Sequence, residues 1–194
     1  MPTSDLELER DSFIAQSGRF LAFPIAGAVV WTVVGILGLL LPPLTARYAL
    51  VFGSGVIFPL ALLVARFTGQ RVFIPGNRFA NLMGLSVLMV NLLWALHLAL
   101  LTSRSAHLMP LSLAIGLGLH WIVFGWIIQA PLGLVHAIVR TVLCTVVTFA
   151  FPQHSLTAVA FAVVACYAMT MVQLVAFFRR WTPAGARAET AISA

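Results

Sequence analysis

"IIQAPLGLVHAIVRTVLC", residues 127–144, decides how the rest of the chain is read. Two apolar runs meet in it, separated only by a short segment around Pro131. Proline has no backbone N–H and its ring blocks the preceding turn, so it ends one helix and can begin another. If Pro131 divides two membrane helices, the chain has six spans; otherwise it has five. The same stretch places Arg140 near the middle of the second run, where a full positive charge needs a reason.

The composition sets the class. Of 194 residues, 61% are hydrophobic and 8% charged, and the mean hydropathy is +1.05. That is too little polar surface for a water-soluble domain, so the chain reads as an integral membrane protein. There is no lysine, and the net charge of +6 rests on arginine. The arginines sit mainly at the ends of apolar runs, as topology signals do, and nucleic acid is not an expected partner. All five acids, Asp5, Glu7, Glu9, Asp11 and Glu189, lie outside the runs.

A bilayer core needs about 20 apolar residues per helix. Six stretches qualify, at roughly 20–41, 47–67, 79–101, 108–129, 131–151 and 156–178, each bounded by proline, glycine or small polar residues. With six spans both termini share one side. That side holds Arg10, Arg19, Arg66, Arg71, Arg78, Arg179, Arg180 and Arg187, against Arg47 and Arg104 opposite. The bias puts both termini in the cytoplasm of a bacterial-type inner membrane. An odd count would blur it.

Three segments follow: a cytoplasmic N-terminal segment (1–19), an all-α six-helix membrane domain (20–181), and a disordered polar tail (182–194). Ser4 followed by Glu7 fits a capping box, predicting a short interfacial helix with Leu6, Phe13 and Ile14 toward lipid. Of the tryptophans, Trp181 belongs at an interface, and Trp31, Trp94, Trp121 and Trp126 are expected deeper, packed between helices.

Short matches link the halves 20–101 and 108–178 in the same order. "WTVVG" at Trp31 matches "WIVFG" at Trp121, "PLTARYALV" at Pro43 matches "PLGLVHAIV" at Pro131, and "MVNL" at Met89 matches "MVQL" at Met171. Three spans is an odd number, so the second copy would enter the membrane the other way up. The expectation is an inverted-topology repeat, a device of transporters and channels. In this alignment His136 stands against Tyr48 and Arg140 against Phe52, so the charge belongs to one half only.

Residues four apart share a helix face, so His136, Arg140, Cys144 and Thr148 form one polar stripe that should face the bundle interior. The candidate ligand-binding residues are Arg140 and His136 of the fifth span, His120 of the fourth, Asn91, Trp94 and His97 of the third, and Thr170 and Gln173 of the sixth. A central arginine costs on the order of 3 kcal/mol to insert. With no carboxylate in any span, its partners are carbonyls, amide and hydroxyl oxygens, water, or an anion from outside. A guanidinium suits a carboxylate, phosphate or halide; it also suits a purely structural role on the carbonyls of a broken helix. Gly53-Ser54-Gly55 and Gly116-Leu117-Gly118 are the places where helices can loosen and expose such carbonyls.

Cys144 and Cys166 have no metal-type spacing and read as small buried residues. Paired carboxylates, a nucleophile elbow, HExxH, a P-loop and a dinucleotide fingerprint are all missing, so an enzyme is not expected, and no cofactor or metal is called for. The leading reading is a small inner-membrane transporter or permease subunit for an anionic or carboxylate-bearing solute. The alternatives are a non-transporting binding or structural subunit, acting as a homo-oligomer or with a partner, and a haem protein using histidines on separate helices. In size and span count alone the chain resembles the substrate-binding membrane components of vitamin importers; no motif carries that likeness and it transfers no residue.

Overall fold

The computed structural model describes residues 4–183, and they form helices and turns only. From residue 184 onward the expected tail lies outside the described residues. The first helix, α1 (Asp5–Ser17), opens on the predicted capping box. Glu7 N–H donates to the Ser4 hydroxyl at 3.3 Å, and Ser4 N–H donates to the Glu7 carboxylate at 3.0 Å. These bonds satisfy two of the donors that every helix start leaves open.

Six helical spans follow: α2 (Ala22–Leu40), α3 (Pro43–Thr68), α4 (Arg78–Asn91) continued by α5 (Trp94–Leu101), α6 (Met109–Gly118) continued by α7 (His120–Ile127), α8 (Leu132–Ala150) and α9 (Ser155–Arg180). All are long and apolar enough to cross a membrane, counting the third and fourth with their leading or joining turns. The Pro131 boundary is therefore real. A tight turn with Gln129 at φ 53° separates α7 from α8, and these helices touch through Gly125 and Gly133. A Cβ on Gly133 would run into the Trp121 carbonyl.

The third and fourth spans are each interrupted, at Leu92-Leu93 and at Leu119. At the second break Leu119 N–H bonds back three residues to Gly116, a tightened 3₁₀ step inside an α-helical span. The helix is thus interrupted just after Gly116–Gly118, while α3 runs unbroken through Gly53–Gly55. The two interruptions meet, since a Cβ on Gly116 would sit 2.9 Å from Leu93 Cδ1.

Helix α9 is the hub and packs on α2, α6 and α8. Tyr167 of α9 lies directly on Gly27 of α2, where any side chain would collide with its ring. The second span leans almost entirely on α2, and α3 and α4 make little contact with each other. Spans one, four, five and six form the packed centre; spans two and three are outliers with large apolar faces exposed.

Helix α1 does not turn Phe13 and Ile14 to lipid. Only Leu6 of the three is exposed; Phe13 and Ile14 are buried, with Phe13 against Phe20. The reason is that α1 is clasped under the bundle. Arg71 of the 69–77 loop bonds Gln16 through its backbone N–H and its guanidinium, at 3.3 and 3.2 Å. Asn77 donates to the Glu9 carbonyl at 2.9 Å, and Arg78 pairs with the Glu9 carboxylate at 2.6 Å. The backbone and side-chain N–H groups of Arg78 hold the Glu9 carboxyl below its ordinary range. Phe20 also meets Phe178, at 5.8 Å, so both ends of the described chain lie at one face of the bundle.

The two halves do not pack alike, and the inverted repeat is not supported. In α8 the aligned residues His136 and Arg140 are fully buried (0% exposed), while Leu134 and Ile138 are about half exposed. In α3 the matching Tyr48 and Phe52 are exposed (43% and 73%), and Ala46 and Leu50 are buried instead. The buried face has moved by two residues, which is roughly 200° of rotation on a helix. Nor do α3 and the third span pack as α8 and α9 do.

Candidate functional site

The polar stripe of α8 faces inward as its spacing predicts: His136, Arg140, Cys144 and Thr148 are all buried. Thr148 closes on itself, its hydroxyl donating to the Cys144 carbonyl at 2.7 Å. His136 and Arg140 form the polar centre of the molecule.

Arg140 stands halfway along α8 with no accessible surface. Its guanidinium lies over the ring of Trp31, 5.7 Å away on α2, and over that of Tyr167, 5.2 Å away on α9. Aromatic faces attract a desolvated cation, by about 2 kcal/mol in favourable cases. Its stem runs past Gly118, where a Cβ would stand 3.0 Å from Arg140 Cδ. The interruption between α6 and α7 therefore falls where the arginine needs room.

Hydrogen bonding fixes the state of the neighbouring imidazole. Thr170 Oγ1 donates its single proton to the Cys166 carbonyl at 2.9 Å. It must therefore accept at 2.6 Å from His136 Nδ1–H. That leaves the Nε2 lone pair to accept from Arg140 Nη1–H at 3.5 Å, a long bond. Trp121 covers the His136 ring at 4.6 Å, and Tyr167 lies 5.6 Å from it.

Two donors remain. Arg140 Nε and Nη2 are buried and have no hydrogen-bond partner among the described residues. An uncompensated buried charge is among the most expensive features a protein can carry. The chain offers no spanning carboxylate to offset it. The arrangement is a buried cation with two nitrogens, Nε and Nη2, that no described residue satisfies.

The structure gathers some of the predicted residues and scatters the rest. Arg140, His136 and Thr170 meet. His97 is buried on α5 near Gly116, its Nε2 unpartnered. His120 borders a separate cavity of about 340 Å³, and Gln173 borders another of about 510 Å³ beside Arg10 and Trp181. Asn91 and Trp94 do not join the interior. Asn91 is exposed and donates to the Val87 carbonyl of its own helix at 2.7 Å, and Trp94 is largely exposed. Trp126 is exposed as well, whereas Trp31 and Trp121 are buried as expected. Sequence reasoning missed Tyr167; its position three residues before Thr170, on the same helix face, was the available signal.

Both nitrogens of His136 are engaged, which leaves neither to ligate a haem iron. Among the described residues no group of three His, Cys, Asp or Glu side chains is placed to hold a metal ion. Neither cavity is lined by Arg140.

Residues 6–177 match the family of unknown function DUF7010, and the chain belongs to that family. No curated protein and no solved structure matches it.

Proposed function

We propose that this membrane protein is a small inner-membrane transporter or permease subunit, with an anion site at Arg140 in a closed state. The observation that carries the reading is the pair of unpartnered nitrogens, Nε and Nη2, on a guanidinium with no accessible surface. A carboxylate, phosphate or halide fits that fork and offsets the charge. The meeting of the two interrupted spans beside it supports the reading, because transporters bind at broken helices and move about them. The arginine excess at the face holding both chain ends favours that face as cytoplasmic. Cysteine labelling from outside would then reach positions 106 and 154 but not 76.

A second reading draws on a different observation. Arg140 packs against the rings of Trp31 and Tyr167 and lines neither cavity, as a purely structural clamp would. One substitution separates the two. In a panel of carboxylates, phosphate and halides, an anion at a hundred times its Kd should stabilise the wild type by about 2.7 kcal/mol. Arg140→Gln should abolish that gain and any flux in liposomes, while remaining monodisperse. If no anion stabilises the wild type, and Arg140→Gln only lowers its melting temperature, the clamp reading stands and the anion site falls.

A further inference from the structure

The outward faces of α8 and of the third span differ in what they offer the bilayer. On α8 one exposed row runs Leu134, Ile138, Val142, Val146 and Phe149, each large and apolar. On the third span one exposed row runs Gly84, Leu88, Asn91, Ala95 and Leu98. Its steps alternate between four and three residues, as the a and d positions of a coiled-coil seam do, and the row carries through the interruption at Leu92-Leu93. Small and amide side chains stand in it where α8 has branched and aromatic ones. The span turns its other face, with Phe79, Ser86, Val90, His97 and Leu101, toward the bundle, so the seam looks away from the rest of the chain.

Asn91 is the costly member of the row. It lies near the middle of the span Arg78–Leu101, at the depth of hydrocarbon rather than headgroups, where a polar group finds no water. One amide N–H donates to the Val87 carbonyl at 2.7 Å, which lets the residue sit outside the bundle. The oxygen Oδ1 and the second N–H have no hydrogen-bond partner among the described residues. An acyl chain supplies neither donor nor acceptor; a second amide supplies both. Two copies of the chain share one orientation in the membrane, so a two-fold axis between them runs along the membrane normal. The two third spans are then parallel, and each seam position faces itself at its own depth. Asn91 of one copy meets Asn91 of the other, each Oδ1 accepting from the free N–H opposite. Gly84, one heptad earlier, lets the two backbones come close, since nothing of its own chain lies within 4 Å of where a Cβ would stand.

We propose that the protein pairs with a second copy of itself in the membrane through the outward seam of the third span, with an Asn91–Asn91 amide pair at its centre. The interface is independent of the anion reading, because Arg140 lies buried on another span.

The test uses the full chain in phosphatidylcholine liposomes, labelled at its N-terminus with a donor or an acceptor dye and diluted stepwise with lipid. Energy transfer in the wild type should follow a monomer–dimer equilibrium. Asn91→Leu suits a lipid-facing position, so the fold should hold, and dimerisation should need about tenfold more protein per lipid, the worth of one interhelical amide pair. Gly84→Leu should act in the same direction by keeping the backbones apart. Leu88→Cys should cross-link between copies on mild oxidation, and Ile138→Cys, on the outward row of α8, should not. The native Cys144 and Cys166 are buried and do not compete. Arg140→Gln should leave the dimer unchanged, so failure here and failure of the anion site are separable. Dimerisation indifferent to Asn91→Leu would remove the amide pair and the proposal with it. Cross-linking at position 138 in place of 88 would move the interface to α8 and overturn the seam. A wild type that is monomeric at every dilution would leave this face to lipid or to a different protein.

Discussion

Helices α3 and α8 begin on similar sequences, PLTARYALV and PLGLVHAIV, and bury opposite faces. In α8 the positions of His136 and Arg140 point into the bundle; in α3 the same positions hold Tyr48 and Phe52 and point out. The apolar background is alike, so the polar stripe decides the rotation. Lipid cannot solvate an arginine, and α8 must turn it inward. Helix α3 has no such demand and instead lays its small residues, Ala46, Ala61 and Ala65 among them, where packing needs them. A resemblance in sequence between two apolar helices therefore carries no resemblance in facing unless a costly group enforces it.

The comparison can be broken by exchange. The largest effect should come at the start of the two helices. Gly133→Val puts a branched side chain into the Trp121 carbonyl and should cost about 3 kcal/mol or more. The matching Thr45→Val, at an exposed position, should change stability by less than about 0.5 kcal/mol. Thermal unfolding of the purified variants reads both, and equal sensitivity would refute the opposed packing. Next, Phe52→Arg should cost on the order of 3 kcal/mol, because it offers lipid the charge that α8 hides. Normal expression and an unshifted melting temperature would mean that α3 faces a polar interior.

A smaller difference is expected one turn earlier. His136→Ala leaves Thr170 and Arg140 each short of a partner and should destabilise by about 2 kcal/mol. Tyr48→Ala should have little effect, since Tyr48 is exposed and its ring stacks on Phe52 only at 6.5 Å. The reverse order would place the polar centre elsewhere.

Much of this was legible. Six spans followed from apolar length, the start of α1 from Ser4 and Glu7, and the inward stripe of α8 from four-residue spacing. Asn91 shows why the rest was not. An amide in an apolar helix suggests the interior, yet Asn91 meets its need on the Val87 carbonyl and stays outside. Local sequence points Phe13 and Ile14 at lipid because the hydrogen bonds of Asn77, Arg71 and Arg78 that pull α1 under the bundle join residues far apart in the chain. The cavity beside His120 depends on a missing contact between two spans, and no local pattern encodes an absence.

The smallest effect concerns that clasp, at the water-facing end rather than the interior. The Glu9 carboxyl is held below the ordinary 4.5 by Arg78. Its contribution to docking α1 is therefore complete above that value and lost as pH falls through the lowered pKa. Protection of residues 5–17 against hydrogen exchange, relative to the intrinsic rate at each pH, should fall on acidification below about pH 4.5. Glu9→Gln should show the faster exchange at neutral pH and lose that acid step, and exchange in α8 should not follow either change. An unchanged acid step in Glu9→Gln would assign it to another group.

The central proposal is that Arg140 holds an anion beside the break between α6 and α7. It is tested most directly by an experimental structure that resolves ordered solvent, determined with and without added carboxylate or phosphate. The account predicts non-protein density within hydrogen-bonding distance of Nε and Nη2, present in the wild type and absent from Arg140→Gln. A guanidinium whose five N–H groups are all taken by protein oxygens, with no room left beside them, would contradict it.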